Sequence, residues 1–144
     1  MLDLDDVISS VKDHLINKGY EVSDKPDKNG ITAEILATKG KDMFVIEAIA
    51  DSSNFSVNII YAFGKLLKRM KEPGFWAHYA VAMPRNRYKE LAEFEEGGFE
   101  ALKIHIFLVL SFMNLTHLDP KETTDLLRGL KNGQNINPDF LSDF

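Results

Sequence analysis

The chain is 144 residues long, about one domain by the usual ~100–200 residues, and long enough to bury ~68% of the surface its unfolded form exposes. Hydrophobic residues at 44% and charged residues at 27% are ordinary globular values that exclude collagen-like, low-complexity and intrinsically disordered classes, and a net charge of −5 argues against generic nucleic-acid adhesion. With no cysteine, disulfides, thiolate metal sites, a cysteine nucleophile and iron–sulfur clusters are excluded, and a reducing, cytoplasmic setting suits the chain.

Leu4, Val7, Ile8, Val11 and Leu15 recur at helical spacing, with Asp3 or Asp5 as cap and Gly19 as stop, which predicts an amphipathic helix over 4–18. The first residues are acidic where a targeting signal would be basic, so no such segment is expected. Tyr20–Val22 reads as a short extended piece and Asp24–Gly30 as a turn. Ile31–Thr38 and Asp42–Ala50, joined through Lys39-Gly40-Lys41, read as an antiparallel hairpin. Asp51-Ser52-Ser53-Asn54 then offers caps for a helix with Ile59, Phe63, Leu66, Leu67 and Met70 on one face, ending before Pro73-Gly74.

His78–Met83 reads as a buried strand, Arg87–Glu95 as a helix closed by Gly97-Gly98, and Ile104–Leu110 as a second buried strand, so that strand, helix and strand imply a parallel pair. The uncharged run from Ile104 to Leu118 has an apolar part, Ile104–Met113, well short of the ~20 residues that span a bilayer, and no membrane association is expected. Asp119-Pro120-Lys121-Glu122 places cap, N1 proline and N3 glutamate in register for a last helix to about Lys131. The order α-β-β-α-β-α-β-α predicts an α/β domain with a mixed central sheet over residues 1–134. In the tail over 135–144, Ile136, Phe140, Leu141 and Phe144 can dock on the body or on a second copy, which makes a homodimer an expectation.

No Walker-type loop, Gly-x-Gly-x-x-Gly or Gly-x-Ser-x-Gly elbow is present, so a phosphate cradle and a hydrolase nucleophile turn are missing. His14, His78, His105 and His117 are scattered, with no pair at zinc-site spacing, and His105 reads as an ordinary buried or sheet-edge residue. The informative residue is Glu47, inside Met43-Phe44-Val45-Ile46-Glu47-Ala48-Ile49-Ala50. A carboxylate in an apolar strand is costly unless paired, hydrogen-bonded or metal-bound. Alternation puts Met43, Val45, Glu47, Ile49 and Asp51 on one face of their strand, and Thr32, Glu34, Leu36 and Thr38 on one face of its partner. Glu34 and Glu47 can therefore converge as oxygen ligands for Mg²⁺ or Mn²⁺. The plainer alternatives are a solvated Glu34 and a Glu47 ion-paired to a lysine of the following helix.

A helix, a hairpin with an acid on each strand, then a helix and a further strand resemble the core of the PD-(D/E)xK phosphodiesterase superfamily, the restriction-endonuclease-like fold, from about Leu4 to Val109. In that resemblance Ala33-Glu34-Ile35 looks like the first acidic position and Glu47-Ala48-Ile49 like the (D/E)xK tripeptide. Tyr61-Ala62-Phe63-Gly64-Lys65-Leu66-Leu67-Lys68-Arg69-Met70, followed by Tyr79-Ala80-Val81-Ala82-Met83-Pro84, is similar to a group of small proteins in the superfamily. The tripeptide's lysine is replaced by Ile49, which can neither orient a water nor neutralise phosphoryl charge. Lys65, on a stripe with Tyr61, Lys68 and Arg69, is the candidate substitute; its plain alternative is a solvated lysine near a helix end.

The resemblance implies metal-dependent phosphodiester hydrolysis, with Glu34, Glu47 and Lys65 catalytic and Glu34, Glu47 and Asp51 holding the metal. Seven basic residues between Lys65 and Lys89 stand against one acid, Glu72, and Lys68, Arg69, Lys71, Arg85 and Arg87 could contact a phosphate backbone. Phe75 and Trp76 could stack on bases, although aromatics beside a buried strand usually belong to the core. The competing class is a non-catalytic nucleic-acid-binding or protein-interaction module on the same scaffold, which loss of the tripeptide's lysine favours. A small-molecule pocket ranks last.

Overall fold

A computed structural model describes residues 2–28, 30–70, 77–111 and 114–133. Lys71, Glu72, the segment 73–76 and the tail 135–144 lie outside the described residues, so the expectations placed on them are not addressed by the fold.

The architecture is α/β, with one six-stranded mixed sheet flanked by helices. Helix α1 (Leu4–Asn17) starts with a reciprocal cap: Asp6 N donates to Asp3 Oδ1 at 2.8 Å and Asp3 N to Asp6 Oδ2 at 3.3 Å. It buries Leu4, Val7, Ile8, Val11 and Leu15. Strand β1 (Glu21–Pro26) takes in residues whose composition reads as a turn, because Asp24, Lys25 and Pro26 sit on an exposed edge strand where charge and proline are tolerated. β2 (Thr32–Lys39) and β3 (Asp42–Ile49) form the expected antiparallel hairpin, closed by Gly40 at φ +59°, a conformation that glycine adopts without steric cost.

Helix α2 (Phe55–Arg69) crosses to β4 (Ala77–Pro84), parallel to β3. Its buried face is Phe55, Ile59, Ala62, Phe63 and Leu66, and Leu67, expected on that face, is 52% exposed. Where one α-helix was expected over 87–95, a 3₁₀ helix spans Arg85–Glu93 and a separate helix α3 spans Glu96–Leu102. The buried residues Arg85, Tyr88 and Leu91 recur every third position, which matches three residues per 3₁₀ turn. Gly97 and Gly98 lie inside α3 rather than ending a helix, because Phe99 is anchored between Phe63 and Phe94 with ring centroids at 5.3 and 6.1 Å.

β5 (Ile104–Ser111) runs parallel to β4, and β6 (Asn114–Leu118), absent from the expected order, pairs antiparallel with β5. Helix α4 (Pro120–Lys131) carries the expected capping box, Glu122 N to Asp119 Oδ1 at 2.8 Å and Asp119 N to Glu122 Oε1 at 3.1 Å. The strands lie in chain order, β1 to β6. One face packs on α1 through Ile35, Phe44, Ile46, Ala80, Phe107 and Val109, and the other on α2, α3 and α4 through Val45, Ile49, Val81, Met83, Ile106 and Leu108. Among the described residues no helix is long and apolar enough to cross a membrane.

The four histidines, scattered in sequence, meet on the α1 face. Parallel pairing of β3, β4 and β5 and antiparallel pairing of β5 with β6 bring His78, His105 and His117 around Phe44, with centroids at 4.8, 5.3 and 5.7 Å from its ring, and His14 reaches from α1 to 6.4 Å from His117. His105 Nδ1 and His117 Nε2 are 2.9 Å apart, so one imidazole donates and the other accepts; protonating either leaves two donors facing each other. Burial lowers His105 to about 4 and His117 to about 3, with positive neighbours adding to the shift. The unfolded chain takes up protons from about pH 6.5 downward before the folded one does, so this contribution is complete above that value and is lost as pH falls toward 4 and 3. Between pH 7 and pH 4.5 the urea midpoint of wild type should therefore fall relative to that of His117→Phe; a difference that stays constant across this window would refute the account.

Candidate functional site

Pairing of β2 with β3 sets Glu34 directly opposite Glu47 on the α2 face. Like charges directly opposite on a sheet repel, and Glu47 is fully buried, so the pair requires a cation when both carboxylates are ionised. Helix α2 supplies two, from Lys65 and Arg69, one turn apart on the side facing the hairpin. The Arg69 guanidinium bridges both carboxylates, with Nη1 2.6 Å from Glu47 Oε1 and Nε 3.0 Å from Glu34 Oε1.

Lys65 Nζ stands 3.8 Å from Glu47 Oε2 and donates to Thr32 Oγ1 at 2.8 Å and to Asp27 Oδ2 at 3.2 Å. The Tyr61 ring lies beside it, 5.4 Å from Nζ to the ring centroid. Asp27 is held at the mouth of the β1–β2 turn, where its N–H donates to Thr32 O at 2.8 Å. Arg69 Nη1 also donates to Lys65 O at 3.0 Å. Both Glu47 oxygens are buried with ionic contacts and, among the described residues, no hydrogen bond of good geometry. Burial pushes the Glu47 carboxyl up to about 7; Arg69 and then Lys65 oppose that rise, and Glu34 and Asp27 add to it.

Of the residues expected at a site, Glu34, Glu47, Lys65 and Arg69 come together. The nearest cation to Glu47 is Arg69 rather than a lysine. Asp51 has other partners: Arg87 Nε at 2.8 Å on Oδ1 and Asn86 Nδ2 at 3.1 Å on Oδ2. Burial opposes ionisation of Asp51, but those hydrogen bonds and the Arg87 charge outweigh it and hold its pKa below the ordinary value. Arg87 also donates to Ser52 O and lies 3.6 Å from Glu90, and Arg85 is buried. Of the five cations expected to meet phosphate, Lys71 lies outside the described residues; among the other four, Lys68 is the one that is exposed and forms no ion pair with a described residue.

Asp27 and Thr32 were not among the expected residues. Asp27 sits in Asp24-Lys25-Pro26-Asp27-Lys28-Asn29-Gly30, whose composition signals a solvated turn; the available sign was an acid in the turn just before a strand that carries a second acid. Among the described residues no three or more His, Asp or Glu side chains are grouped so as to hold a metal ion by themselves. Comparisons with protein-family models, curated proteins and solved structures give no match.

The raised Glu47 value fixes a sign. The folded chain keeps a proton on Glu47 between about 4.5 and about 7 that the unfolded chain has lost, so stability falls as pH rises through that window, by something of the order of 3 kcal/mol. Glu47→Gln is neutral throughout. Subtracting its urea-unfolding free energies from those of wild type at pH 5 to 8 should expose this slope, and a flat difference would show that Glu47 ionises freely in the fold.

Proposed function

We propose that this chain is a nuclease-like protein of the restriction-endonuclease-like type, built for metal-dependent phosphodiester hydrolysis with a rearranged active site. The observation that carries this reading is the position of Lys65, whose ammonium stands between Asp27 and Glu47 on the face that also holds Glu34. A lysine on α2 thus stands beside the carboxylates that the tripeptide's own lysine would otherwise accompany, where the sequence has Ile49.

The donor set suits Mg²⁺ or Mn²⁺. Glu34 and Glu47 are hard oxygen ligands in register, Glu47 has buried oxygens lacking hydrogen bonds, and Mg²⁺ typically uses one or two carboxylates and completes its shell with water and substrate phosphate. Bound there, such an ion supplies Lewis-acid polarisation of a phosphoryl oxygen. Lys65 orients the attacking water or neutralises charge developing on the phosphoryl oxygens, and Asp27 and Thr32 hold its ammonium in place. Lys68, on the outer face of α2 next to the site, is the exposed cation available to a phosphate backbone.

A second reading, a non-catalytic protein-interaction module, is favoured by one feature. Val57, Ile60, Tyr61 and Leu67 form an apolar outer stripe on α2, each 48–65% exposed. Metal dependence separates the two. Incubation with Mn²⁺ and single- or double-stranded DNA and RNA should give cleavage that Glu47→Ala abolishes and Lys65→Ala slows about 10²-fold. Undiminished cleavage by a folded Glu47→Ala protein would end the catalytic reading, and absence of cleavage on all four substrates would favour the interaction module.

A further inference from the structure

Arg69 occupies the space that the proposed site assigns to a cation. Its guanidinium is the group lying between Glu34 and Glu47, at 3.0 and 2.6 Å, and a divalent ion taking both carboxylates would meet that positive charge at contact distance. We propose that Arg69 is a built-in plug that bridges Glu34 and Glu47 in the resting protein, offsetting part of their charge, and must swing out before a divalent metal can enter. This rests on the reading of Glu34 and Glu47 as metal ligands.

The local structure suits such a movement. Arg69 is the last residue of α2, and Met70 after it is extended (φ −69°, ψ 129°), so the side chain hangs from a helix end rather than from the helix interior. Among the described residues its remaining side-chain tie is the hydrogen bond to Lys65 O, which water can replace because Arg69 is part-exposed. Lys65 is held separately by Thr32 and Asp27, so the catalytic cation need not move with the plug. A divalent ion matches two carboxylates in charge where one guanidinium does not, and this difference drives the exchange.

The test is Mn²⁺ binding to the full-length protein by calorimetry at pH 7.5, for wild type, Arg69→Met, Arg69→Lys and Glu47→Ala. The expected order is tightest binding in Arg69→Met, at least about tenfold stronger than wild type, with Arg69→Lys between them and Glu47→Ala without binding. If Arg69→Met binds no better than wild type while Glu47→Ala still abolishes binding, the plug is overturned and the metal site stands. If none of the four proteins binds Mn²⁺, both fall. Should Arg69→Met not fold, the Arg69 side-chain Nε–Hε signal of wild type is followed by NMR as Mg²⁺ is added: a shift toward the solvent-exposed position supports the plug, and an unmoved signal at saturating Mg²⁺ overturns it.

Discussion

The constraint on which the rest of this structure depends is a carboxylate in the middle of a sheet. Glu47 lies in β3 with apolar neighbours on both sides, opposite a second carboxylate, and its charge is answered from the helix above. That requirement fixes how α2 lies: its C-terminal turns must pass over the β2–β3 pair for Lys65 and Arg69 to reach down. It also fixes the β1–β2 turn, since Asp27 accepts from Lys65 and closes the turn on Thr32. Buried ion clusters of this kind contribute little net stability and are often matched by apolar side chains of similar volume. Fold stability alone therefore gives weak reason for Glu47, Arg69 and Lys65 to be where they are, whereas chemistry at the cluster gives a direct one.

Much of the scaffold was legible because it follows local rules. The spacing in α1, the Asp119-Pro120-Lys121-Glu122 box of α4 and the glycine turn of the hairpin each report a physical requirement of a few adjacent residues. Elements that depend on distant partners were not. β6 is five residues, mostly polar, and exists because β5 offers it an edge; the 3₁₀ helix follows from where Arg85, Tyr88 and Leu91 can be buried; and α3 keeps two glycines because Phe99 has an aromatic socket.

The site shows the same division. The facing of Glu34 and Glu47 follows from strand alternation and was readable, while the involvement of Asp27 depends on how a turn meets a helix residue 38 positions further along the chain. The cluster of cations between Lys65 and Lys89 looked like a phosphate-binding surface because sequence shows charges without their partners. In the fold Arg69 is taken up by Glu34 and Glu47, Arg87 by Asp51 and Glu90, and Arg85 by burial. The outer face of α2 is left with Lys68 beside an apolar stripe, a surface better suited to a protein or to bases than to phosphates alone.

The two faces of the sheet respond to protons in opposite senses. On the α1 face the neutral imidazoles of His105 and His117 resist protonation, so acid weakens the fold there. On the α2 face Glu47 resists losing its proton, so base weakens the fold there. The windows overlap between about pH 4.5 and 6.5, where one contribution rises with pH as the other falls. The sheet therefore has a broad interval of offsetting responses, bounded by steep loss on the acid side, where imidazoles ionise. Above about 7 the response of Glu47 is complete. There its carboxylate is ionised and most in need of a counter-charge, which Arg69 at 2.6 Å and Lys65 at 3.8 Å supply.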